Sequence, residues 1–392
     1  MTNTLKRARL AVLAAFFING ASLATWVSRI PAIQAKLSLS EGALGLVLMG
    51  LSVGVLVALS MAGGVIARFS SAKATVGAGI VMSLALIPLA WANSPVLLWI
   101  NLFIFGAGTS LMDVSMNDQA VMVERQAGRP MMSSFHATFS IGGLAGALSG
   151  AGMAATMFFT PAIHFALVGV FLAAALAFFY RFFIHIQPEK TEGGTVFRLP
   201  ERALWMLGVI AFCTALAEGS MADWSAVFLN QVLATTTSLA ALGYAGFSAT
   251  MTIGRLLGDR LIARFHAKTV VRVGGLIATA GFVTAILTKS PALAIAGFAL
   301  IGLGVSNTIP VAFSAAGNFP GVSPSAGIAG VATIGYAGFL AGPPMIGMIA
   351  EESSLRVAFI LIAVLVSSLI FTAQAVSHQT SAANALAEEP KS

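Results

Sequence analysis

Charge is scarce in this sequence: Asp, Glu, Lys and Arg make up 9% of its 392 residues, against roughly 25% in soluble domains. A water-soluble globule of this size has no means of covering its surface with so few charges, so the solvent is lipid. Cysteine is nearly absent too. The single Cys213 excludes an intramolecular disulfide and any cysteine-based metal cluster. No loop is long enough to bury a core of its own. No metal-ligand cluster or nucleophile–base–acid spacing is found either, which argues against an enzyme and calls for no cofactor.

What is present is apolar: 58% of the chain is hydrophobic. About twelve stretches reach membrane-spanning length. They run over 8–29, 42–66, 74–92, 96–120, 131–155 and 161–184, then 203–228, 239–262, 269–288, 292–316, 327–350 and 355–377. Lys6, Arg7 and Arg9 before an apolar run resemble a signal peptide, but the run reaches Trp26 without a small-residue cleavage site, which suits a retained first helix. With the N-terminus in the cytoplasm, 17 of the 21 Lys and Arg residues fall on that side, leaving Arg29, Lys36, Lys289 and Arg356 outside. The positive-inside rule then puts both termini in the cytoplasm. The net charge of +7 reads as membrane orientation and requires no nucleic acid. The expected organisation is a six-helix bundle over 1–186, a cytoplasmic linker over 187–202, a second bundle over 203–378 and a disordered tail over 379–392.

The two halves echo each other. Val65-Ile-Ala-Arg-Phe69 returns as Leu261-Ile-Ala-Arg-Phe265 at an offset of 196, half the chain length, and Gly50 and Ser52 align with Gly246 and Ser248. Ser22-Leu-Ala-Thr-Trp26 and Ser220-Met-Ala-Asp-Trp224 pair at 198. In a membrane protein, a duplicated half points to a transporter whose solute sits between the copies.

Polar groups in mid-span are costly, about 2.5–3.5 kcal/mol for a charge on insertion scales, and are read first as functional. Asp113 and Asn117, four residues apart in the fourth stretch, share a helix face. A carboxyl group taken out of water is suited to carrying a proton, so Asp113 is expected to couple protons and Asn117 to bind solute. Glu218, amid Ala217 and Gly219 near the middle of the seventh stretch, is the second proton candidate. Asp223, about 140° round the helix from it, is expected nearer the outer surface, as a gate or a solvated end. Asn19, His136, Asn307 and Tyr336 are expected to line the cavity, although each alone also suits an interhelical hydrogen bond. Trp26 and Trp224 are either interfacial anchors or aromatic walls; Trp224 is counted with the cavity.

At the end of the eighth stretch, Arg255 and Asp259 are spaced to pair and, with Arg68, are expected to gate the cytoplasmic mouth. Glycines at four-residue spacing over Gly142–Gly150 and Gly335–Gly347 allow close helix crossing, and Pro343-Pro344 is expected to bend the eleventh helix.

These residues carry a resemblance. The chain resembles the major facilitator superfamily, and within it the bacterial inner-membrane transporters of the YbjJ type. It does so through Asp113-Val-Ser-Met-Asn117, Ser133-Ser-Phe-His136, Ala217-Glu-Gly-Ser-Met-Ala-Asp-Trp224, Gly254-Arg-Leu-Leu-Gly-Asp-Arg260 and Gly335-Tyr-Ala-Gly-Phe-Leu-Ala-Gly-Pro-Pro344. The acid-x-x-x-Asn pattern is similar to that of the fucose/proton symporters, where the acid takes part in proton coupling. The family's 2–3 loop motif has Asp where this chain has Ala67, and the antiporters' fifth-helix Gly-Pro is missing. The resemblance implies an all-α, twelve-helix, multi-pass protein of the bacterial inner membrane. The expected activity is proton-coupled symport of a small polar, sugar-like solute by a monomer. Export of an amphipathic metabolite or drug, and a non-transporting receptor, are the alternatives.

Overall fold

The computed structural model describes residues 2–128, 131–156, 158–185, 204–320, 322 and 324–377. The expected linker 187–202 and tail 379–392 lie outside the described residues. Among the described residues all regular structure is helical: α1 (Asn3–Val27), α2 (Ile30–Leu37), α3 (Glu41–Phe69), α4 (Ser71–Trp91), α5 (Pro95–Ala127), α6 (Met132–Ala154) and α7 (Pro161–Phe179). The second half holds α8 (Trp205–Val227), α9 (Thr237–Leu287), α10 (Pro291–Val305), α11 (Thr308–Gly317), α12 (Pro324–Glu352), α13 (Leu355–Ser367) and α14 (Leu369–Thr372). Ten spans, counting short helices that continue one another, are long and apolar enough to cross a membrane. One of them, α9, is 51 residues long and bends at His266 into two legs; α6 completes the twelve.

Local chemistry starts and stops these helices. Thr2, Ser40, Ser94, Thr160, Thr236 and Ser354 each accept, through the side chain, the backbone N–H three residues on, satisfying a donor that the first turn leaves free. The first apolar stretch runs past 29 to Leu37, with a break at Ser28–Arg29 just before Pro31, whose ring suits the start of a helix. The tenth breaks at Ser306–Asn307, because Pro310 has no N–H to return to Ser306. The fourth continues beyond 120 to Ala127 and ends on Gly128 in the left-handed conformation. Glu124 there accepts the N–H groups of Met131 and Met132 at 2.6 and 2.9 Å, tying α5 to the start of α6.

The repeat is a repeat of structure. At the offset of 196, Ser40 and Thr236 both cap helices, Arg68 and Arg264 each lie 5.4 Å over the following phenylalanine ring, and Ser94-Pro95 matches Ser290-Pro291 at helix starts. Lys36 closes the end of α4 on the carbonyls of Ala90 and Ala92, both at 2.8 Å. Arg356 closes the end of α9 on the equivalent carbonyls of Ile286 and Thr288. Two of the four cations expected on the outer face are therefore helix caps. A third, Arg29, is buried and donates to His164 Nδ1 and to the Phe159 carbonyl, both at 3.1 Å.

Ser70 (φ 75°, ψ 153°) and His266 (φ 65°, ψ 150°) turn the chain at equivalent points. That region is essentially reserved for glycine and costs on the order of 1–3 kcal/mol per residue. Ser70→Gly combined with His266→Gly is therefore expected to raise the melting temperature in detergent, by relief of about 1 kcal/mol at each turn after glycine's own entropic cost. An unchanged melting temperature would mean that surrounding contacts already absorb the strain.

The two halves meet along two seams, α3 on α12 and α6 on α9. Ser52 Oγ donates to the Phe339 carbonyl at 3.1 Å, and its repeat twin Ser248 donates to the Ser140 carbonyl at 3.1 Å. Proline explains the first of these. Pro343 has no N–H for the carbonyl four residues back, which is that of Phe339, so this acceptor is free for the opposite half. The prolines do not interrupt α12, which runs on to Glu352. Further out, Ser40 Oγ and the Gly42 N–H both donate to Glu351 at 2.6 Å, and Ser238 Oγ donates to the Ala151 carbonyl at 2.7 Å. All these ties lie from mid-span to the face opposite the chain's N-terminal end.

Candidate functional site

Below the two serine ties, toward the face that holds the N-terminal end, the halves part around a cleft of about 510 Å³. Met132, Ile262 and Phe313 stand toward its mouth, near helix ends, and Phe339, beside the Ser52 tie, forms its floor. Six expected site residues line it: His136, Glu218, Arg255, Asp259, Asn307 and Tyr336. Glycine and alanine make room for them. Ala215 and Gly335 line the same cleft, and α12 packs closely on α8, with Gly338 against the Phe212 carbonyl.

Glu218 and Arg255 form an ion pair, Nη2 to Oε1 at 3.7 Å, with side chains about a fifth exposed (20% and 22%). Arg255 was expected to pair with Asp259 on its own helix. The structure corrects this: Arg255 turns across to α8, where the more enclosed carboxylate has the greater need of a counter-charge. Asn307 is held in place by donating to the Gly254 carbonyl at 2.9 Å and contacting Ser306 Oγ at 3.1 Å. His136 stands edge-on to Phe16, with ring centroids 5.2 Å apart.

Asp113 and Asn117 do share a face of α5. Asn117 Nδ2 donates to the Asp113 carbonyl at 2.8 Å and to its Oδ1 at 3.3 Å. Tyr336 lies within electrostatic range of Asp113, and His136 within range of Arg255. Each relation joins one half to the other.

Other expectations meet a different placement. Asn19 is buried and donates to the Thr109 carbonyl at 3.2 Å, joining α1 to α5 away from the cleft. Trp224 and its twin Trp26 are fully buried, and neither indole N–H has a partner. They are core side chains in this conformation, neither cavity walls nor interfacial anchors. Asp223 is half-buried and outside the cleft, within range of the same Tyr244 as Glu218. Arg68 is exposed and stacked on Phe69. Sequence reasoning missed Phe339 and Tyr244. Ser52 and Ser248 are visible in the sequence as repeats, and only the structure shows what they bind. Among the described residues, no group of three or more His, Cys, Asp or Glu could hold a metal.

Two repeated bundles, tied at one end and parted at the other around a polar cleft, define a membrane transporter of the alternating-access class. Residues 12–317 match the family model of the Major Facilitator Superfamily. The chain belongs to that superfamily, and it is a multi-pass transporter, not an enzyme. It is 38% identical over 365 residues to an MFS-type transporter of Yersinia pestis, covering 93% of this chain and 94% of that one. It is 32% identical over 355 residues to the membrane protein MosC of Rhizobium meliloti, covering 90% and 86%. A bacterial homologue of the lysosomal transporter Spinster, inward-facing and unoccupied, superposes with a TM-score of 0.77 at 16% identity, over 97% of this chain and 98% of that one. The fucose:proton symporter FucP of E. coli superposes at 0.62 and 16% identity, over 94% and 98%. At these identities the likeness is one of fold.

Proposed function

We propose that this protein is a secondary active transporter that carries a small polar, sugar-like solute across the bacterial inner membrane by proton-coupled symport. The observation that carries the reading is the split of the polar groups. His136 lines the cleft from the first half, with Asp113 and Asn117 on α5 outside its lining, and Glu218, Arg255, Asn307 and Tyr336 line it from the second, so a solute held by both sets bridges the halves. Asp113 carries the proton, and Glu218 is the second carrier. The open face is the cytoplasmic one under the positive-inside rule, so this conformation releases solute inward. Amides, a phenol and an imidazole offer both donors and acceptors, which suits hydroxyl-rich solutes. The superposing solved structures include a nucleoside transporter, a fucose:proton symporter and a D-xylose–proton symporter, which favours the same solute class. Arg255 and Asp259 gate the inner mouth, with Arg68 at the turn after α3 and Asp223 toward the outer side.

The test has two stages. Purified protein is screened by thermal shift against sugars, nucleosides and organic acids, because a ligand that binds the folded state raises its stability. The best binder is then offered to proteoliposomes. Accumulation that appears only with an inwardly directed proton gradient supports the reading. Accumulation that ignores the gradient, or follows only an opposite one, overturns it.

A further inference from the structure

A second cavity, of about 550 Å³, lies on the flank of the first half between α3 and α4, with α5 as its floor. Its lining is apolar apart from one residue, Lys73, in the first turn of α4. Small residues make it: Ala74, Gly77 and Ala107 leave space, and a Cβ built on Gly77 meets nothing within 4 Å. Val57, Met61, Val81 and Ile104 border it and are each 41–58% exposed, so the groove opens to the surface that faces the bilayer. Along α3 it runs from Phe69 to Val57, about 18 Å at 1.5 Å per residue, close to the roughly 15 Å of hydrocarbon in one leaflet.

The second half provides an internal comparison. At the offset of 196, Lys73, Ala74, Gly77 and Ala107 become Thr269, Val270, Val273 and Leu303. The repeat therefore keeps the turn before this helix but fills these positions with larger side chains and sets the cation one residue back, at Lys268. Lys73 is exposed, and among the described residues no carboxylate pairs with it. Arg68, also exposed, stands on the same turn, stacked on the Phe69 ring that closes this end of the groove.

We propose that the groove is a binding site for one phospholipid with an anionic headgroup. One acyl chain lies over Gly77, and the phosphate meets Lys73 at the membrane surface. An apolar slot as deep as a leaflet, open to the bilayer and ending in an unpaired cation, matches that ligand in both parts: hydrocarbon below and negative charge above.

Native mass spectrometry of the full chain, with phosphatidylglycerol or phosphatidylcholine added, tests this. The wild-type protein is expected to retain one phosphatidylglycerol about fivefold more tightly than phosphatidylcholine, the effect of one lysine at an anionic headgroup. Lys73→Gln is expected to erase that preference while still retaining a lipid. Gly77→Leu, which fills open space, is expected to lose the tightly held lipid of either kind. The proposal is overturned if Lys73→Gln keeps the fivefold preference, or if Gly77→Leu holds lipid as the wild type does. It is also overturned if Gly77→Leu changes the oligomeric state with lipid binding intact, since the groove would then belong to a second copy.

Discussion

Gly45→Val is expected to drive the transporter out of the conformation described above and open its closed end. Gly45 faces backbone on the opposite half: a side chain there would strike the Pro343 carbonyl, and Gly347 Cα lies 3.1 Å from the Cβ position. From the other side, Gly347 meets the Glu41 carbonyl and Gly45 Cα. A flexible side chain gives way cheaply, whereas two backbones do not. Overpacking of this kind costs about 1–3 kcal/mol, and the cost vanishes if α3 and α12 separate. The ratio of conformations is then expected to move by roughly 5- to 150-fold. A cysteine replacing the buried Ser52, with Cys213 removed, reports the change: maleimide is expected to label it much faster in the Gly45→Val background. Gly63→Val is the control, since a side chain there meets open space. Equal labelling in all three backgrounds would show that the seam does not hold the closed end.

The second large effect falls on coupling. Asp113→Asn keeps the shape of the side chain and its contact with Asn117 but removes the ionisable group to which we assign the proton. Proton-driven accumulation is expected to fall to background, while exchange of labelled for unlabelled solute at equal pH persists, because exchange needs the cleft to move but not the proton. Asp118→Asn, five residues on and about 140° round the helix, is expected to leave both activities as in the wild type. Loss of accumulation and exchange together would make Asp113 a binding or structural group. Retention of both would remove it from the pathway.

Much of this molecule is legible in its sequence. Twelve apolar stretches, the polar residues between them and a five-residue echo give two halves and their relation. The echo goes further than expected, since Ser70 and His266 repeat even a strained backbone turn. What the sequence hides is which side of each helix faces what. A helix that is apolar all round gives no sign of whether a given residue meets lipid or protein. Asn19 and Asn307 are both amides on apolar helices, yet one bonds the Thr109 carbonyl inside its bundle and the other borders the cleft. Arg255 had two carboxylates to choose from. Spacing favours Asp259, but the packing of α8 beside α9 presents Glu218. Ser52 is visible as one of a repeated pair, but its acceptor is freed by a proline almost three hundred positions away, and that relation exists only once the halves have packed.

The central claim is that the halves rock about the site, closing one end as the other opens. Spin-label distances in the full chain, with Cys213 removed, test it most directly. One pair, at Ala67 and Ile328, spans the open face, and another, at Leu46 and Met348, spans the closed seam; Leu46 and Met348 are exposed, and so are Ala67 and Ile328. On adding solute at acidic pH, the 67–328 distance is expected to shorten while the 46–348 distance lengthens. Two distances that stay fixed, or that change together in the same direction, would contradict the account.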